Sequence, residues 1–415
     1  MKTHTLDKYL LQNLIDFNNK YHDERSVKKH EMEIAQFFEE NYACWEKGLG
    51  LRYQSEDVEE MLGCALCTYS AAIDCDVFFD IKRLRMLRKW IEHYEKKVKF
   101  YCGLKAGMFN NIANMYAKMK FDKDSVECFK KSFFYSLNEI NHTIYEQTIC
   151  FAFHSLSKHM LYNLNEETLN VSSPLKFNDI FDCPLIKLLD NDCGPSKLRR
   201  QALCDCLKIA CFEKNDYLPT FEDVVSGKKR RKGKGVDFEY SNELLWSHYA
   251  EYHKGICIEY VFDSSLFNSI TNSSSLVSFL KDVDYRDNIK SIIKGKNRIN
   301  LIDGFFAKSK AWRYENELRF FYFNLNGSGD YESVKIPKCV KSITFGAQCP
   351  EKDKILVMKL MRCRKYSIKE DGKNVQKRIE FYQMEPDEKK VGKLIRKSIR
   401  LFKDGIYVKK VSTTP

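Results

Sequence analysis

The sequence predicts an α+β protein, in which an all-helical, repeat-like module precedes a mixed, mostly antiparallel sheet domain with flanking helices. The first 145 residues contain no proline, and their apolar residues recur at intervals of three and four, which is typical of packed helices. Beyond about residue 150, glycine, proline and serine become more frequent and short strand-like runs occur. No regularly spaced helices connect these runs, so we expect antiparallel pairing.

The length of 415 residues is too great for one compact core and indicates several structural units. The change in composition near residue 150 separates a helical module at 1–149 from an α+β domain at 150–385, which we expect to carry the activity. Nine Lys or Arg residues between Lys389 and Lys410 are interspersed with apolar residues, which favours a basic amphipathic helix. We therefore assign 386–415 to a basic C-terminal tail.

Two patterns stand out in the helical module. Residues 80–97 carry one apolar stripe, formed by Leu84, Leu87, Trp90, Ile91 and Tyr94. Residues 109–137 place small side chains (Ala113, Ser125 and Ser132) where two antiparallel helices would approach each other. This spacing resembles a tetratricopeptide repeat, and the alternative is an ordinary helical bundle.

The second domain carries several strand signals, which two helical patterns interrupt. Strand-like runs are found at 168–172, 255–261, 318–323 and 342–345. Helical patterns are found at Lys197–Phe212 and Glu351–Arg362. Residues 244–252 fit two interpretations: a strand with Trp246 and His248 on one face, or a helix with Leu245, His248, Tyr249 and Tyr252 in one stripe.

Composition excludes several classes of protein. Hydrophobic residues make up 44% of the chain, which excludes a globally disordered protein. There is no apolar run near 18 residues and no apolar leader, so we expect a cytoplasmic protein in which the 16 cysteines are reduced thiols. Cys64 and Cys67 have CxxC spacing but lack a second pair, so we predict no metal site. The Walker, GxGxxG, GxSxG and HExxH motifs are missing, which disfavours P-loop enzymes, dinucleotide dehydrogenases, serine hydrolases and zinc proteases.

Four islands of polar and aromatic residues lie in the second domain. They are 153–155 with 172–179 (FHS and SSPLKFND), 245–250 (LWSHYA), 253–258 (HKGICI) and 312–319 (WRYENELR). Their order and spacing resemble the bacterial family of unknown function numbered 2971 (DUF2971), over roughly residues 150–381. The resemblance implies an α+β domain and supplies no reaction, so the chemistry must be argued from the residues.

Glu315, Glu317 and Arg319 alternate in the last island, so on a strand their side chains share one face. Three charged groups on one face must pair with each other or face a cleft. One interpretation is an exposed sheet face with a Glu–Arg cross-link, and the other is an active-site strand.

The active-site interpretation resembles the ADP-ribosyltransferases. That likeness implies His154 as the residue that orients NAD, Ser172 or Ser173 as the second member of the site, and Glu317 as the carboxylate that stabilises an oxocarbenium ion. Glu315 or Arg319 would assist the acceptor or a phosphate, and NAD would be the co-substrate. The residues expected to contact it are His154, Ser155, Ser172, Ser173, Trp246, His248 and Tyr249. His248 also fits a structural, hydrogen-bonded histidine.

The net charge of +12 raises the question of a polyanionic partner. We predict nucleic-acid contact through the tail and through a loop that contains Lys228, Lys229, Arg230, Arg231 and Lys232, with plain solvation as the alternative. The helical module is expected to bind a protein or peptide. We hypothesise a bacterial effector, in phage defence or stress, with NAD-dependent ADP-ribosyltransferase-like activity. The alternatives are a non-catalytic ligand- or nucleic-acid-binding protein and a metal-dependent nuclease built on Asp179, Asp182, Glu315 and Glu317.

Overall fold

The predicted fold class is confirmed in the computed structural model, where helices up to Asn138 precede a mixed, mostly antiparallel sheet that begins at Gln147. The structure describes residues 8–21, 24–49, 56–75, 80–138, 147–177, 179, 182–183, 194–214, 243–271, 274–286, 304–370, 372–389, 393–402 and 405–408. In these residues no helix is long and apolar enough to cross a bilayer. The cysteine side chains that the structure describes are free thiols.

The N-terminal region consists of antiparallel helices around an aromatic core. The helices are α1 (Lys8–Lys20), α2 (Glu24–Lys29), α3 (Glu31–Leu49), α4 (Glu56–Cys75), α5 (Ile81–Lys97), α6 (Cys102–Lys118) and α7 (Asp122–Asn138). The stripe predicted on α5 is buried at Leu84, Leu87, Ile91 and Tyr94. The ring of Phe38 stacks on that of Tyr69 with 4.3 Å between centroids, so α3 and α4 share aromatic contacts in the interior of this region.

The α6–α7 hairpin confirms the expected close approach of two helices. The Ser125 hydroxyl donates to the Ala113 carbonyl at 2.9 Å, and the Ser132 hydroxyl donates to the Ala106 carbonyl at 2.7 Å. Both serines are buried, and their small side chains allow this direct contact with the facing backbone. The tetratricopeptide resemblance is compatible with this hairpin.

The second region is built on a large sheet. Its strands and those of two small ribbons are β1 (Gln147–His154), β2 (Thr168–Ser172), β3 (Leu207–Lys214), β4 (Ile256–Asp263), β5 (Leu276–Asp282), β6 (Asp284–Tyr285), β7 (Ala307–Lys308), β8 (Glu317–Asn324), β9 (Tyr331–Lys335), β10 (Val340–Phe345), β11 (Lys365–Glu370), β12 (Lys373–Arg378), β13 (Glu380–Pro386), β14 (Leu394–Phe402) and β15 (Gly405–Val408). The helices are α8 (Lys158–Glu166), α9 (Pro195–Cys206), α10 (Glu243–Tyr249), α11 (Ser264–Thr271) and α12 (Glu351–Met361), with 3₁₀ turns at Pro174–Lys176 and Lys310–Glu315.

Eleven of these strands form one sheet that branches at β3. One edge of the sheet runs β15-β14-β13-β10-β4-β1, and β1 then pairs with the end of β3. On the same side β3 also meets β2 at Ile209, while its other side pairs with β8 along its length. The pairing of β1 with β3 is recorded at Cys150 and Phe151 and not at the later residues of β1. The strands therefore separate beyond Phe151, which leaves room for a cavity.

Both faces of the sheet are covered. On one face Phe320 and its neighbours pack against Met160 of α8, Phe267 of α11 and Val357 of α12. On the other face Phe321 and its neighbours pack against α7 and α9 of the helical side. Because side chains alternate along β8, residues 317, 319, 321 and 323 face the helical side. This alternation places charged and aromatic residues of β8 on the same face.

Two secondary-structure predictions are wrong. The helix predicted at Lys197–Phe212 ends at Cys206, and residues 207–214 form β3, because this segment pairs with β8 over its length. The basic helix predicted within 389–410 is instead the antiparallel pair β14–β15, joined to the sheet through β13. In both cases long-range pairing overrides local helix propensity. The helix predicted from Glu351 is confirmed as α12. The loop with Lys228, Lys229, Arg230, Arg231 and Lys232 lies outside the described residues.

Candidate functional site

A cavity of about 210 Å³ opens where β1 and β3 separate. Its floor is the face of β3 and β8 turned toward the helical side, and α10 and the segment around Phe177 form its walls. The lining combines aromatic rings with carboxylates. It includes Phe151, Phe153, Phe177, Phe212, Leu245, Tyr249 and Trp312, together with Lys176, Lys308, Cys211, Asp179, Asp182, Glu213, Glu315 and Glu317.

The pairing of β3 with β8 brings together the residues that form the floor of the cavity. Glu213 of β3 lies opposite Glu317 of β8, and Cys211 lies opposite Arg319. Residues paired across two antiparallel strands point to the same face. Glu213 and Glu317, which lie about one hundred positions apart in sequence, therefore become neighbours in the cavity.

Glu315 reaches the cavity by a different route from the one predicted. It ends the 3₁₀ turn Lys310–Glu315, and Asn316 follows with a φ of 43°, so Glu315 is not on the strand with Glu317. The Asn316 carbonyl accepts from the Lys214 amide at 2.9 Å, which anchors the turn to β3. The prediction of one alternating strand face is wrong for Glu315, although both carboxylates still converge on the same partner.

That partner is Lys308, at the end of β7. Its Nζ lies 2.5 Å from Glu315 Oε2, 3.1 Å from Glu317 Oε2 and 3.5 Å from Asp182 Oδ2. Three acceptors match the three N–H donors of an ammonium group. Burial by itself lowers the pKa of a lysine, but the charges of Glu317, Asp182 and Glu315 outweigh it and raise the Lys308 pKa well above its ordinary value. Lys308 therefore stays charged inside the protein.

Arg319 is the second buried cation and is fully enclosed. Its Nε donates to Glu317 Oε1 at 2.7 Å, and its Nη2 donates to Asp182 Oδ1 at 2.7 Å. Its Nη1 donates to the Phe305 carbonyl at 2.6 Å and to Cys183 Sγ at 3.2 Å. Such complete pairing offsets the cost of burying a guanidinium.

Arg319 also sets the ionisation of Glu317. Burial by itself raises the pKa of a carboxyl group, but the charge and hydrogen bonds of Arg319, with the charge of Lys308, lower the Glu317 pKa to about 2. The backbone N–H of Glu317 donates to the Tyr285 hydroxyl at 2.8 Å. Glu317 is therefore a fixed anion with both oxygens engaged.

Among the described residues, the Glu315 carboxylate accepts fewer hydrogen bonds than the Glu317 carboxylate does. The Tyr249 hydroxyl donates to Glu315 Oε1 at 2.7 Å, and Lys308 occupies Oε2. Burial, then the charge of Glu315 and this hydrogen bond, raise the Tyr249 pKa, so the phenol stays protonated and keeps donating. Each carboxylate oxygen can accept two hydrogen bonds, so Glu315 has acceptor capacity left for a ligand hydroxyl.

The described residues around the cavity give it a net negative charge. Its five lining carboxylates, Asp179, Asp182, Glu213, Glu315 and Glu317, exceed the three cations Lys176, Lys308 and Arg319, which leaves a formal charge of −2. Lys176 is exposed and pairs with Asp330, so its charge acts mainly at the rim. A negatively charged, aromatic cavity favours flat ligands that carry positive charge.

His154 does not line this cavity. It ends β1, and Phe153 just before it does line the cavity, so alternation turns the His154 side chain to the other face of the sheet. Its Nε2 is enclosed and has no hydrogen-bond partner among the described residues. Burial lowers the His154 pKa to about 4, so the ring is neutral at physiological pH.

The structure brings Glu315, Glu317, Arg319 and Tyr249 together and places the other predicted contacts elsewhere. Ser155 is exposed, and Ser172 lies in β2 between β3 and β9. Ser173 is buried and caps the turn Pro174–Lys176 through its hydroxyl. Residues 243–249 form a helix, so the strand alternative is wrong. On it Trp246 is buried against Phe153 and His248 is exposed.

Three residues of the cavity were not predicted. Cys211 lies in the segment that the sequence assigned to a helix, Lys197–Phe212, and Glu213 directly follows that segment, which concealed their alternation on a strand. Lys308 follows the apolar run Phe305–Ala307, and a lysine that closes such a run was the available signal. The Cys211 side chain is exposed to the cavity, and the surrounding protein desolvates its thiol. This desolvation, and then the nearby charge of Glu317, raise the Cys211 pKa well above its ordinary value.

Metal binding has no structural support within the described ranges, where no group of three His, Cys, Asp or Glu side chains is arranged to hold an ion. Lys308 and Arg319 both contact Asp182 and Glu317, and Lys308 also contacts Glu315 Oε2. Glu315 Oε1 instead accepts from the Tyr249 hydroxyl. The two cations therefore lie beside the carboxylates, where a divalent cation would need to bind.

The comparisons with known proteins bear on this part of the chain. Residues 245–320 match the family model described as "Protein of unknown function (DUF2971)". The match runs from α10 into β8 and includes Tyr249, Lys308, Glu315, Glu317 and Arg319. No curated protein and no solved structure matches the chain significantly. The family likeness therefore covers one part of the cavity, including the Lys308–Glu315–Glu317 cluster, and supplies no activity.

Proposed function

We propose that the cavity binds NAD and that the protein transfers or hydrolyses its ADP-ribosyl group. The observation that carries the proposal is the convergence of Glu315, Glu317 and Asp182 beneath aromatic walls in a cavity of net negative charge. A nicotinamide ring attached to ribose is flat and cationic, so it is attracted both to aromatic faces and to nearby carboxylates. Trp312, Phe177 and Tyr249 are among the aromatic rings that line the cavity. Lys308 already lies 5.1 Å from the Trp312 centroid and Arg319 lies 5.2 Å from the Phe177 centroid, so a bound nicotinamide ring would share these faces with the two cations.

The chemistry needs one carboxylate near the ribose. The bond between ribose C1′ and the nicotinamide nitrogen breaks, and the nitrogen keeps the electron pair and leaves as neutral nicotinamide. The ribose then carries oxocarbenium charge, which a carboxylate hydrogen-bonded to a ribose hydroxyl stabilises. An acceptor, either water or a nucleophilic side chain, forms the new bond to C1′ and loses a proton to solvent.

Glu315 is the better candidate for that carboxylate. Glu317, the residue favoured by the sequence, has its oxygens engaged by Arg319 and Lys308. Among the described residues, Glu315 receives one donor on each oxygen and keeps acceptor capacity on both. Glu317 and Arg319 then act as positioning residues that fix Lys308. His154 has no part in this scheme, because its side chain does not line the cavity.

The test is nicotinamide release from NAD, measured by chromatography. We expect Glu315→Gln to release nicotinamide at least ~100-fold more slowly, because the amide cannot offset the developing positive charge. Glu388→Gln is the matched control: it makes the same chemical change at an exposed turn position and should leave the rate unchanged. If the unaltered protein releases no nicotinamide, or if both variants keep its rate, the proposal fails.

A second candidate function is nucleic-acid contact, through a surface that the sequence did not predict. The β11–β12 ribbon pairs its residues so that one face holds only polar side chains, namely Lys365, Ser367, Lys369, Asn374, Gln376 and Arg378. The other face turns the buried Tyr366 and the partly buried Ile368 toward the interior. A two-stranded ribbon fits the major groove of DNA, and Arg, Lys, Asn and Gln are the side chains that read base edges there.

Binding to a fluorescent DNA duplex at two salt concentrations tests this candidate. Replacing Lys365, Lys369 and Arg378 with Gln should weaken binding and reduce the salt dependence, since each lost phosphate contact lowers the slope of log K against log salt by ~0.9. The matched control replaces the exposed Lys96, Lys97 and Lys99 of the helical region with Gln, which removes the same charge. Equal effects of the two triple variants would show that only net charge matters.

A further inference from the structure

A second cavity, of about 190 Å³, lies at the junction between the helical region and the sheet. Most of its walls are apolar and come from both regions. They are Phe129, Phe133 and Leu137 of α7, Leu203 of α9, Phe321 of β8, and Phe305 before β7. An apolar ligand held here would contact both regions at once, so its binding would depend on how they are packed together.

One end of this junction cavity is polar. Arg199 is the charged side chain among the described residues of its lining, and Asn110, Ser132 and Ser136 are the polar ones. The Arg199 Nη2 donates to Asn110 Oδ1 at 3.0 Å and to Asn114 Oδ1 at 3.2 Å. Its guanidinium also lies 4.9 Å from the centroid of the Phe129 ring. These contacts from α6 and α7 hold the guanidinium at the edge of the cavity.

The size and lining define the class of ligand. An apolar cavity of ~150 Å³ accommodates benzene, so a cavity of about 190 Å³ has room for a ring with a short substituent. A guanidinium is the preferred partner of a carboxylate, to which it can make two parallel hydrogen bonds. We propose that the junction cavity binds a small aromatic carboxylate, with the ring among the phenylalanines and the carboxylate on Arg199.

One residue of the junction cavity contacts the ion cluster beneath the first cavity. Phe305 lines the junction cavity, and its carbonyl accepts from Arg319 Nη1 at 2.6 Å. Phe321 follows Arg319 by two residues on the same face of β8. A ligand that displaces Phe305 changes the support of Arg319 and, through it, the position of Glu317. The bound carboxylate would therefore couple the helical region to the first cavity.

Calorimetric titration with 3-phenylpropionate and with its neutral amide tests the binding site, without NAD and so independently of the proposed activity. We expect the carboxylate to bind and the amide to bind at least ten-fold more weakly, because the amide loses the charged hydrogen bonds to Arg199. Arg199→Gln should abolish the preference between the two probes, and Arg199→Lys should retain part of it. Ser136→Leu, which fills the cavity, should weaken both probes.

Two results would overturn the proposal: no heat of binding with either probe, or binding that Arg199→Gln and Ser136→Leu both leave unchanged. Circular dichroism of each variant establishes that it is folded. A thermal unfolding scan gives the second readout, since a ligand that contacts both regions should raise the melting temperature of the unaltered protein and not that of Ser136→Leu.

Discussion

The helical region and the sheet region bury polar groups in different ways. In the helical region the buried Ser125 and Ser132 donate to carbonyl oxygens of the facing helix. The buried Lys105 donates to the Val98 carbonyl, without a carboxylate partner among its described hydrogen bonds, and the rest of the interior is largely apolar and aromatic. In the sheet region a cavity floor encloses two cations and three carboxylates that pair only with one another and a few neighbours. The interior of the helical region is a mainly apolar packed core, whereas the interior of the sheet region concentrates charged side chains beside a cavity.

The difference supports the proposal that the sheet region, rather than the helical region, binds a ligand. A buried ion cluster is a poor source of stability, since apolar replacements of similar size are often neutral or stabilising. Its presence beside a cavity is better explained by a ligand that the charges recognise. The helical core needs no such explanation, because burial of its aromatic rings accounts for its stability.

The largest effect is expected from Arg319→Leu. This change leaves Glu317 and Asp182 buried without their main cation, which should lower the free energy of unfolding by about 3–5 kcal/mol. Urea denaturation followed by fluorescence measures it. A loss below about 1 kcal/mol would mean that water reaches these carboxylates, and the contrast between the two regions would disappear.

The second-largest effect is expected in how the free energy of unfolding depends on pH, because Glu317 of the sheet region contributes to it. The Glu317 pKa is lowered to about 2 from an ordinary value of 4.5, so its stabilising contribution is complete above about pH 4.5 and is lost as the pH falls through about 2. The stability difference between the unaltered protein and Glu317→Gln should therefore shrink between pH 4.5 and 2. Urea midpoints at several pH values test this, and a constant difference would contradict it.

The smallest effect is expected in the helical region, from Ser132→Ala. Loss of its hydrogen bond to the Ala106 carbonyl should lower the free energy of unfolding by about 1 kcal/mol. The rate of nicotinamide release should stay the same, because Ser132 contacts only the hairpin and the junction cavity. A fall in that rate at unchanged stability would show that the hairpin takes part in the site.

Sequence periodicity predicted the elements that depend on residues close together in the sequence. The α5 stripe and the small residues of the α6–α7 hairpin follow helical periodicity, and the structure has both. The strand β3 and the pair β14–β15 depend on partners far away in sequence, so periodicity alone assigned helices there.

The candidate site divides in the same way. Glu315, Glu317 and Arg319 were found because they lie close together in sequence. Lys308 and Glu213 were missed because only the register of β3 with β8 and the turn before β8 bring them to the same place. The expected contacts from His154 and Ser172 rested on a family likeness, and strand alternation at Phe153 and His154 directs the histidine away from the cavity.

The most direct test of the central claim, that the charged aromatic cavity binds NAD, is protection of Cys211 from alkylation. Cys211 is exposed to the cavity, whereas Cys363 is exposed in the turn after α12 and serves as an internal control. The raised Cys211 pKa calls for a small thiol reagent at mildly alkaline pH, with labelling at each cysteine followed by mass spectrometry. We predict that saturating NAD slows labelling of Cys211 at least ten-fold and leaves Cys363 unchanged. Equal labelling of Cys211 with and without NAD would contradict the claim.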